Sequence, residues 1–543
     1  MSVVTMVLAF LLAVVASVFI SRLLPVKIPL PILQIALGAA LSVFGFDVEF
    51  EPHLFLLLFI PPLLFLDGWR IPKDALFNEL KPIMSLAIGL VVVTVIGIGV
   101  FIHWLIPAMS IAVAFALAAI LSPTDPVSVS AMTVGSPLPS KMAHILEGES
   151  LLNDATGLVC FSFAVTAALT GTFSLADATL GFVLVAFGGV LAGLVVTWII
   201  GRLNRFLVKR TGEEPAIQIL ISLLIPFTAY LVAEHLHVSG ILAAVVAGIA
   251  MHYDELAGRP QAATRMQRNA VWDTVQVALN GTIFILLGEQ LPRMWKTMPE
   301  VANVAGVSNH WMLLGYVVAI TLALGVLRFL WVWISITLTV FRGRRKGQDQ
   351  NMPRTRMMAV MATAGVRGSI TLAGILTLPL FMPDGSNFPA RDVAIFLAMG
   401  VILLSLIIAS IGLPLLTRGL VIDLPHTDSE SSARVAVTEA ALHRIKEIIS
   451  HPVEDPDQMA LRSEAANHLL DIYSRRLDYG DNDKDGSTDM WKLAEVERQL
   501  RREALRAERD ELYKLRKTKN INDEVHRRLL REIDLKEESL SHH

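Results

Sequence analysis

Residues 122–157 read SPTDPVSVSAMTVGSPLPSKMAHILEGESLLNDATG, and long hydrophobic segments flank them on both sides. Two features set this stretch apart from an ordinary apolar helix. In Ser122-Pro123-Thr124-Asp125-Pro126 two prolines bracket an acid, and in Glu149-Ser150-Leu151-Leu152-Asn153-Asp154 an acidic cluster leads into the apolar run that begins at Gly157. A charge at bilayer depth costs about 2.5–3.5 kcal/mol on insertion scales, so such acids serve an interior site and do not face lipid. Proline lacks a backbone donor, which leaves carbonyls near Ala119 and Ser122 to be satisfied by protein, water or an ion. A broken helix with a carboxylate in the opening is a recurrent way to build a cation site inside a membrane.

The chain of 543 residues is 54% hydrophobic and only 17% charged, with a mean hydropathy of +0.57. These values exclude an ordinary soluble domain and fit an all-α polytopic membrane protein. The net charge of -3 averages two unlike regions. The expected division is a transmembrane exchange domain over 1–421 and a charged, helical, cytoplasmic tail over 422–543. Cys160 is the one cysteine and has no partner for an intramolecular disulfide. The first twenty residues lack a positive n-region and a small-residue cleavage site, so they read as a spanning helix and not as a removed signal.

Thirteen segments have the length and apolarity to span the hydrocarbon core: 2–21, 27–45, 53–68, 82–105, 110–133, 145–170, 176–201, 214–234, 237–253, 270–291, 310–341, 356–380 and 392–420. With the N-terminus outside, the basic clusters around Arg70, Arg202, Arg265 and Arg344 fall on the cytoplasmic side, while the outer loops hold only Arg293, Lys296 and Arg391. That asymmetry follows the positive-inside rule and places the tail in the cytoplasm. In the tail, Leu493, Val496, Leu500, Ala504 and Ala507 form one apolar stripe expected to be a helix-pair seam. The run Asp481-Asn482-Asp483-Lys484-Asp485-Gly486 has the spacing of the first part of a calcium loop. Lys492 occupies the position where a bidentate Glu would close it, so an acidic turn is the expected reading.

Within the membrane, Glu149 and Asn153 are i,i+4 neighbours, and so are Ser150 and Asp154, giving one helix two adjacent polar lines. Hard cations prefer carboxylate, hydroxyl and carbonyl oxygens over nitrogen, and Asp154 and Ser150 supply two of these. A carboxylate shut away from water binds a proton or a cation but not both, and that competition yields exchange when the site faces each side in turn. Asn153 adds a dipole where a second acid would add a charge, so one proton per monovalent cation is expected. Glu149 requires a cationic partner, expected to be Arg367 in ATAGVRGSITLAG, where Gly365 and Gly368 ease a break. Asp67, after Pro61-Pro62, stands either at the ion entrance or at the membrane surface. Arg328 either pairs with an acid or caps a pore wall, and Asn280 and Gly281 are expected to pack helices closely.

With SPTDPV at 122–127, EGESLLNDATG at 147–157, AEHLHVSGILAAVVAG at 233–248, GVRGSITLA at 365–373 and PPLLFLDG at 61–68, the chain resembles the monovalent cation/proton antiporters of the NhaP and NHE type. The resemblance implies thirteen spans in inverted repeats with two crossed broken helices, a dimerisation domain and a moving core. It implies Asp154 as the ion- and proton-binding carboxylate, with Ser150 and the Thr124 backbone as ligands and Asp67 as an accessory ligand where some relatives carry Glu. Asn153 and Asp125 would steady the crossover, and Glu149 would pair with Arg367. The Asn-Asp pair resembles the electroneutral branch.

The expected protein is therefore not an enzyme but an electroneutral sodium (lithium)/proton antiporter of a bacterial inner membrane. It would be a homodimer with a regulatory tail, with no cofactor beyond the transported cation and proton and no nucleic-acid partner. A potassium/proton antiporter would use the same residues; a cation channel or a sensor are the readings from other classes.

Overall fold

The computed structural model describes residues 3–25, 28–45, 52–125, 128–129, 132, 140–171, 175–258, 260–307, 309–345 and 355–418, and in the tail 436, 438–447, 466–467, 469–470, 500–501, 503–512, 514–515, 529–530 and 532–537. The chain divides into two compact units, Met1–Asp423 and Leu424–His543.

Among the described residues of the first unit, regular secondary structure is helical apart from one isolated bridge between Phe381 and Asn387. Its elements are α1 (Val3–Leu23), α2 (Leu30–Val43), α3 (Pro52–Arg70), α4 (Lys73–Asn78), α5 (Leu80–Leu105), α6 (Ile111–Ile120), α7 (Ser140–Thr170), α8 (Leu175–Thr211), α9 (Pro215–His235), α10 (Gly240–Gly258), α11 (Ala262–Val304), α12 (Trp311–Arg345), α13 (Thr355–Thr363), α14 (Ser369–Leu376) and α15 (Arg391–Thr417). Among the described residues, nine helices are long and apolar enough to cross a membrane, and α2 and α6 are shorter apolar helices. Leu8, Leu12, Phe187, Trp198 and Leu322 are exposed. In water such side chains would be a liability; in hydrocarbon they are the lipid-facing coat of helices whose backbone is satisfied internally.

Two expected spans are shorter or longer than the hydropathy suggested. The segment expected at 270–291 is the 43-residue α11, which begins at Ala262 and continues through Pro292 and Pro299 to Val304. The segment expected at 110–133 breaks after Ile120 and is helical again at Ser128, Val129 and Met132. Ser110 caps the start of α6 by accepting from Val113 N at 3.4 Å, and at the other end the Ser122 hydroxyl donates to Ala119 O at 2.7 Å. One carbonyl freed by the prolines is thus satisfied by the adjacent serine. In α5 a π-turn over Ser85–Leu90 leaves the Ser85 carbonyl to accept from Trp331 Nε1 at 3.1 Å.

Several helix pairs meet backbone to backbone, two of them through glycines on both sides. A Cβ at Gly38 would collide with the Ile285 carbonyl and one at Gly288 with the Ile35 carbonyl, joining α2 to α11; Gly68 and Gly248 do the same for α3 and α10. Small residues permit this close approach, which supplies packing where lipid gives no hydrophobic drive. Two arginines tie the broken pair α13/α14 to α15. Arg356, at the start of α13, donates to the carbonyls of Leu415, Leu416 and Arg418 at the end of α15; Arg391, at the start of α15, donates to Leu378 O at 3.0 Å just past α14.

In the second unit, Leu505, Leu512 and Ile533 are buried together, and Arg509 reaches Asp534 at 2.9 Å as well as Glu537. The expected seam is therefore displaced: Leu500 is 66% exposed and Ala504 and Ala507 are exposed, because Leu505 and Leu512 bury more apolar area than the alanines would. Leu493, Val496 and the acidic run 481–492 lie outside the described residues.

Candidate ion site

The two helix breaks meet. After Ile120 the chain runs without helix through Pro123, Thr124 and Asp125, and between α13 and α14 it does so through Gly365, Val366, Arg367 and Gly368. Asp125 N donates to Val366 O at 2.8 Å, a direct bond between the interrupted segments. Each break carries the charge that suits its helix ends. Arg367 Nε donates to Leu121 O at 2.8 Å at the C-terminal end of α6, and its Nη1 donates to Gly365 O beyond the end of α13. Asp125 lies against Gly368, the residue that begins α14, where a Cβ would strike its carboxylate. Its Oδ2 accepts from Ser128 Oγ at 2.6 Å. A cation at helix C-termini and an anion at a helix N-terminus are the favourable pairings for the helix dipole.

The polar face of α7 docks on the first break. Ser150 Oγ donates to Thr124 O at 2.6 Å, and Asn153 Nδ2 donates to Thr124 Oγ1 at 3.0 Å. A Cβ on Gly157 would meet the ring of Pro123, so only glycine lets α7 approach this closely. The Asn153 Oδ1 atom is buried without a hydrogen-bond partner among the described residues. Asp154 is 5% exposed, and among the described residues no ion pair or hydrogen bond engages its carboxylate.

Asp154 opens onto a cavity of about 30 Å³, lined also by Asp67, Thr124, Asp125, Ser150 and Asn280. That volume is enough for at least one water-sized body. Asp67 therefore lines the site and does not lie at the membrane surface. Arg70, one turn on, is held by Asp273 at 2.5 Å and by Gln276 Oε1 at 2.8 Å.

The expected partner of Glu149 is overturned. Arg328 of α12 donates to both carboxylate oxygens of Glu149, at 2.8 Å from Nη2 to Oε2, and its Nε donates to Met361 O at 2.9 Å. Arg367 is spent on backbone carbonyls, which a broken helix exposes and a pairing scheme based on charge alone does not count. Sequence reasoning also missed Gln276 and Asn280, two amides at i,i+4 in an apolar stretch, whose spacing was the available signal.

Residues 7–419 match the family model described as sodium/hydrogen exchanger, transmembrane. The chain belongs to this family. The exchanger is 42% identical over 543 aligned residues to the Na(+)/H(+) exchanger YjcE of Escherichia coli (strain K12), covering 98% of this chain and 97% of the relative. It is 38% identical to the sodium, potassium, lithium and rubidium/H(+) antiporter of Bacillus subtilis (strain 168), covering 97% of this chain and 76% of that one. In fold, the exchanger is similar to the sodium proton antiporter MjNhaP1 from Methanocaldococcus jannaschii, with a TM-score of 0.57 at 18% identity over 77% of this chain and 99% of that one. The exchanger is thus a multi-pass membrane antiporter of cations and protons, not an enzyme.

Proposed function

We propose that this exchanger trades one sodium or lithium ion for one proton at Asp154 by alternating access. The observation that carries the reading is a buried carboxylate without a counter-ion: the ionised form is costly away from water, so Asp154 binds a proton or a cation in turn. The Ser150 hydroxyl and the Thr124 carbonyl are ligand oxygens beside it, and Asp67 is an accessory ligand across the cavity. Asn153, Asp125, Glu149 and Arg367 support the site without exchanging the ion. With Asn153 neutral, one proton replaces one monovalent cation and exchange is electroneutral.

In this reading the protein is a homodimer in a bacterial inner membrane, N-terminus outside, with a cytoplasmic tail that regulates it, and it serves sodium and pH homeostasis. A second reading, potassium exchange by the same residues, is supported by the B. subtilis relative, whose name includes potassium and rubidium. Proteoliposomes test the proposal. Sodium added outside should drive coupled proton movement with no membrane potential generated, and Asp154→Asn should abolish it. Exchange at the parent rate in Asp154→Asn would end this reading, and a voltage-driven uncoupled current would replace it with a channel.

A further inference from the structure

We propose that Asn280 is a cation-selecting ligand, presented to the Asp154 site from the wall formed by α3 and α11. The inference rests on the reading of Asp154 as the exchange carboxylate. The cavity has two kinds of wall. Thr124, Asp125, Ser150, Asp154, Gly368 and Thr371 belong to the helix breaks, to α7 and to α14, whereas Leu63, Asp67, Gln276 and Asn280 belong to α3 and α11.

The two amides of α11 are one turn apart on the same face but differ in state. Gln276 Oε1 is occupied by Arg70, at 2.8 Å. The Asn280 side chain has no hydrogen-bond partner among the described residues, although it lines the cavity in the middle of an apolar helix. Asn280 is half-buried, so an amide that lines the cavity without a protein partner leaves its oxygen available to whatever occupies that space.

The rotation of α11 is set by its other face. A Cβ on Gly281 would meet Val14 and Gln34, and Gly288 lies against the Ile35 carbonyl. These contacts hold Asn280 toward the cavity and fix where its oxygen stands. Its Oδ1 is neutral, so it adds a ligand without changing the count of one proton per cation. Because the two walls belong to separately packed helices, the gap they span discriminates by ionic radius. A small cation that touches both walls gains the Asn280 oxygen; a larger one is less dependent on it.

The test is the apparent KM for lithium, sodium, potassium and rubidium in proteoliposomes of Asn280→Ala and Asn280→Ser. In Asn280→Ala the sodium-to-potassium KM ratio should rise about fivefold over the parent, the size expected for one lost neutral ligand. A rise below about threefold overturns the proposal, including the case in which all four cations shift alike because Asn280 merely holds Asp67. Asn280→Ser is judged by the same threshold if the alanine variant does not fold. Asp154→Asn is measured alongside. If it still exchanges, the reading of the carboxylate fails; if it is inactive and the Asn280 variants keep the parent ratio, only the selecting role fails.

Discussion

Glu149 and Arg328 form a two-point ion pair with 1% and 2% of their side chains exposed, joining α7 to α12. Removing one member leaves the other charged and buried, which costs about 3–5 kcal/mol. Glu149→Ala and Arg328→Ala should each lower the thermal unfolding midpoint in detergent, and the double variant should recover part of the loss. Arg367→Ala should gain nothing from a second Glu149→Ala change, because Arg367 holds the carbonyls of Leu121 and Gly365 instead.

Thr124 serves the site twice, through its carbonyl to Ser150 and its hydroxyl to Asn153. Thr124→Val keeps the carbonyl and the shape but strands the Asn153 amide, at a cost of about 1–3 kcal/mol. Unfolding measurements should show that loss, sodium/proton exchange should fall with it, and Thr124→Ser should retain both properties.

Gly368 is where Asp125 presses against the start of α14. Gly368→Ala forces the aspartate away, and a displacement of about 1 Å at a reacting site can cost about a hundredfold in rate. The expected result in vesicles is a protein that inserts but exchanges at least about tenfold more slowly. A parent-like rate would show that this contact yields freely.

Arg391 closes the C-terminal end of α14 by donating to Leu378 O. Arg391→Ala removes a cation from a helix C-terminus, worth about 0.3–1 kcal/mol where the site is partly exposed. Faster amide hydrogen exchange at 377–380, with little change at 355–363, is the expected readout. Uniform exchange across both segments would contradict a local clasp.

Much of the fold was legible in the chain. The apolar segments locate the helices because lipid allows only internally bonded backbone, and Pro123 and Pro126 announce the end of α6. The polar line of Ser150 and Asp154 follows from helical periodicity alone. The partner of Glu149 was not legible: Arg328 and Arg367 both lie in apolar spans, and only tertiary packing decides which guanidinium reaches the acid and which serves exposed carbonyls. The length of α11 was hidden for a related reason, since hydropathy registers the hydrocarbon core and not a helix that continues past it through Pro292. Asn280 looked like a packing residue because its neighbour Gly281 is one; adjacent positions on a helix face different neighbours.

The junction of α2 with α11 has no side chains that could repack at Gly38 and Gly288. Sliding either helix by one residue would drive a methyl or larger group into the facing main chain, so this joint works like a keyed shaft and admits one alignment. Asn280 rides on that shaft. If Asp154 is the exchange carboxylate, any change in its distance from Asn280 during the cycle then comes from α7 and the interrupted helices moving relative to the α2–α11 pair, not from slippage within that pair.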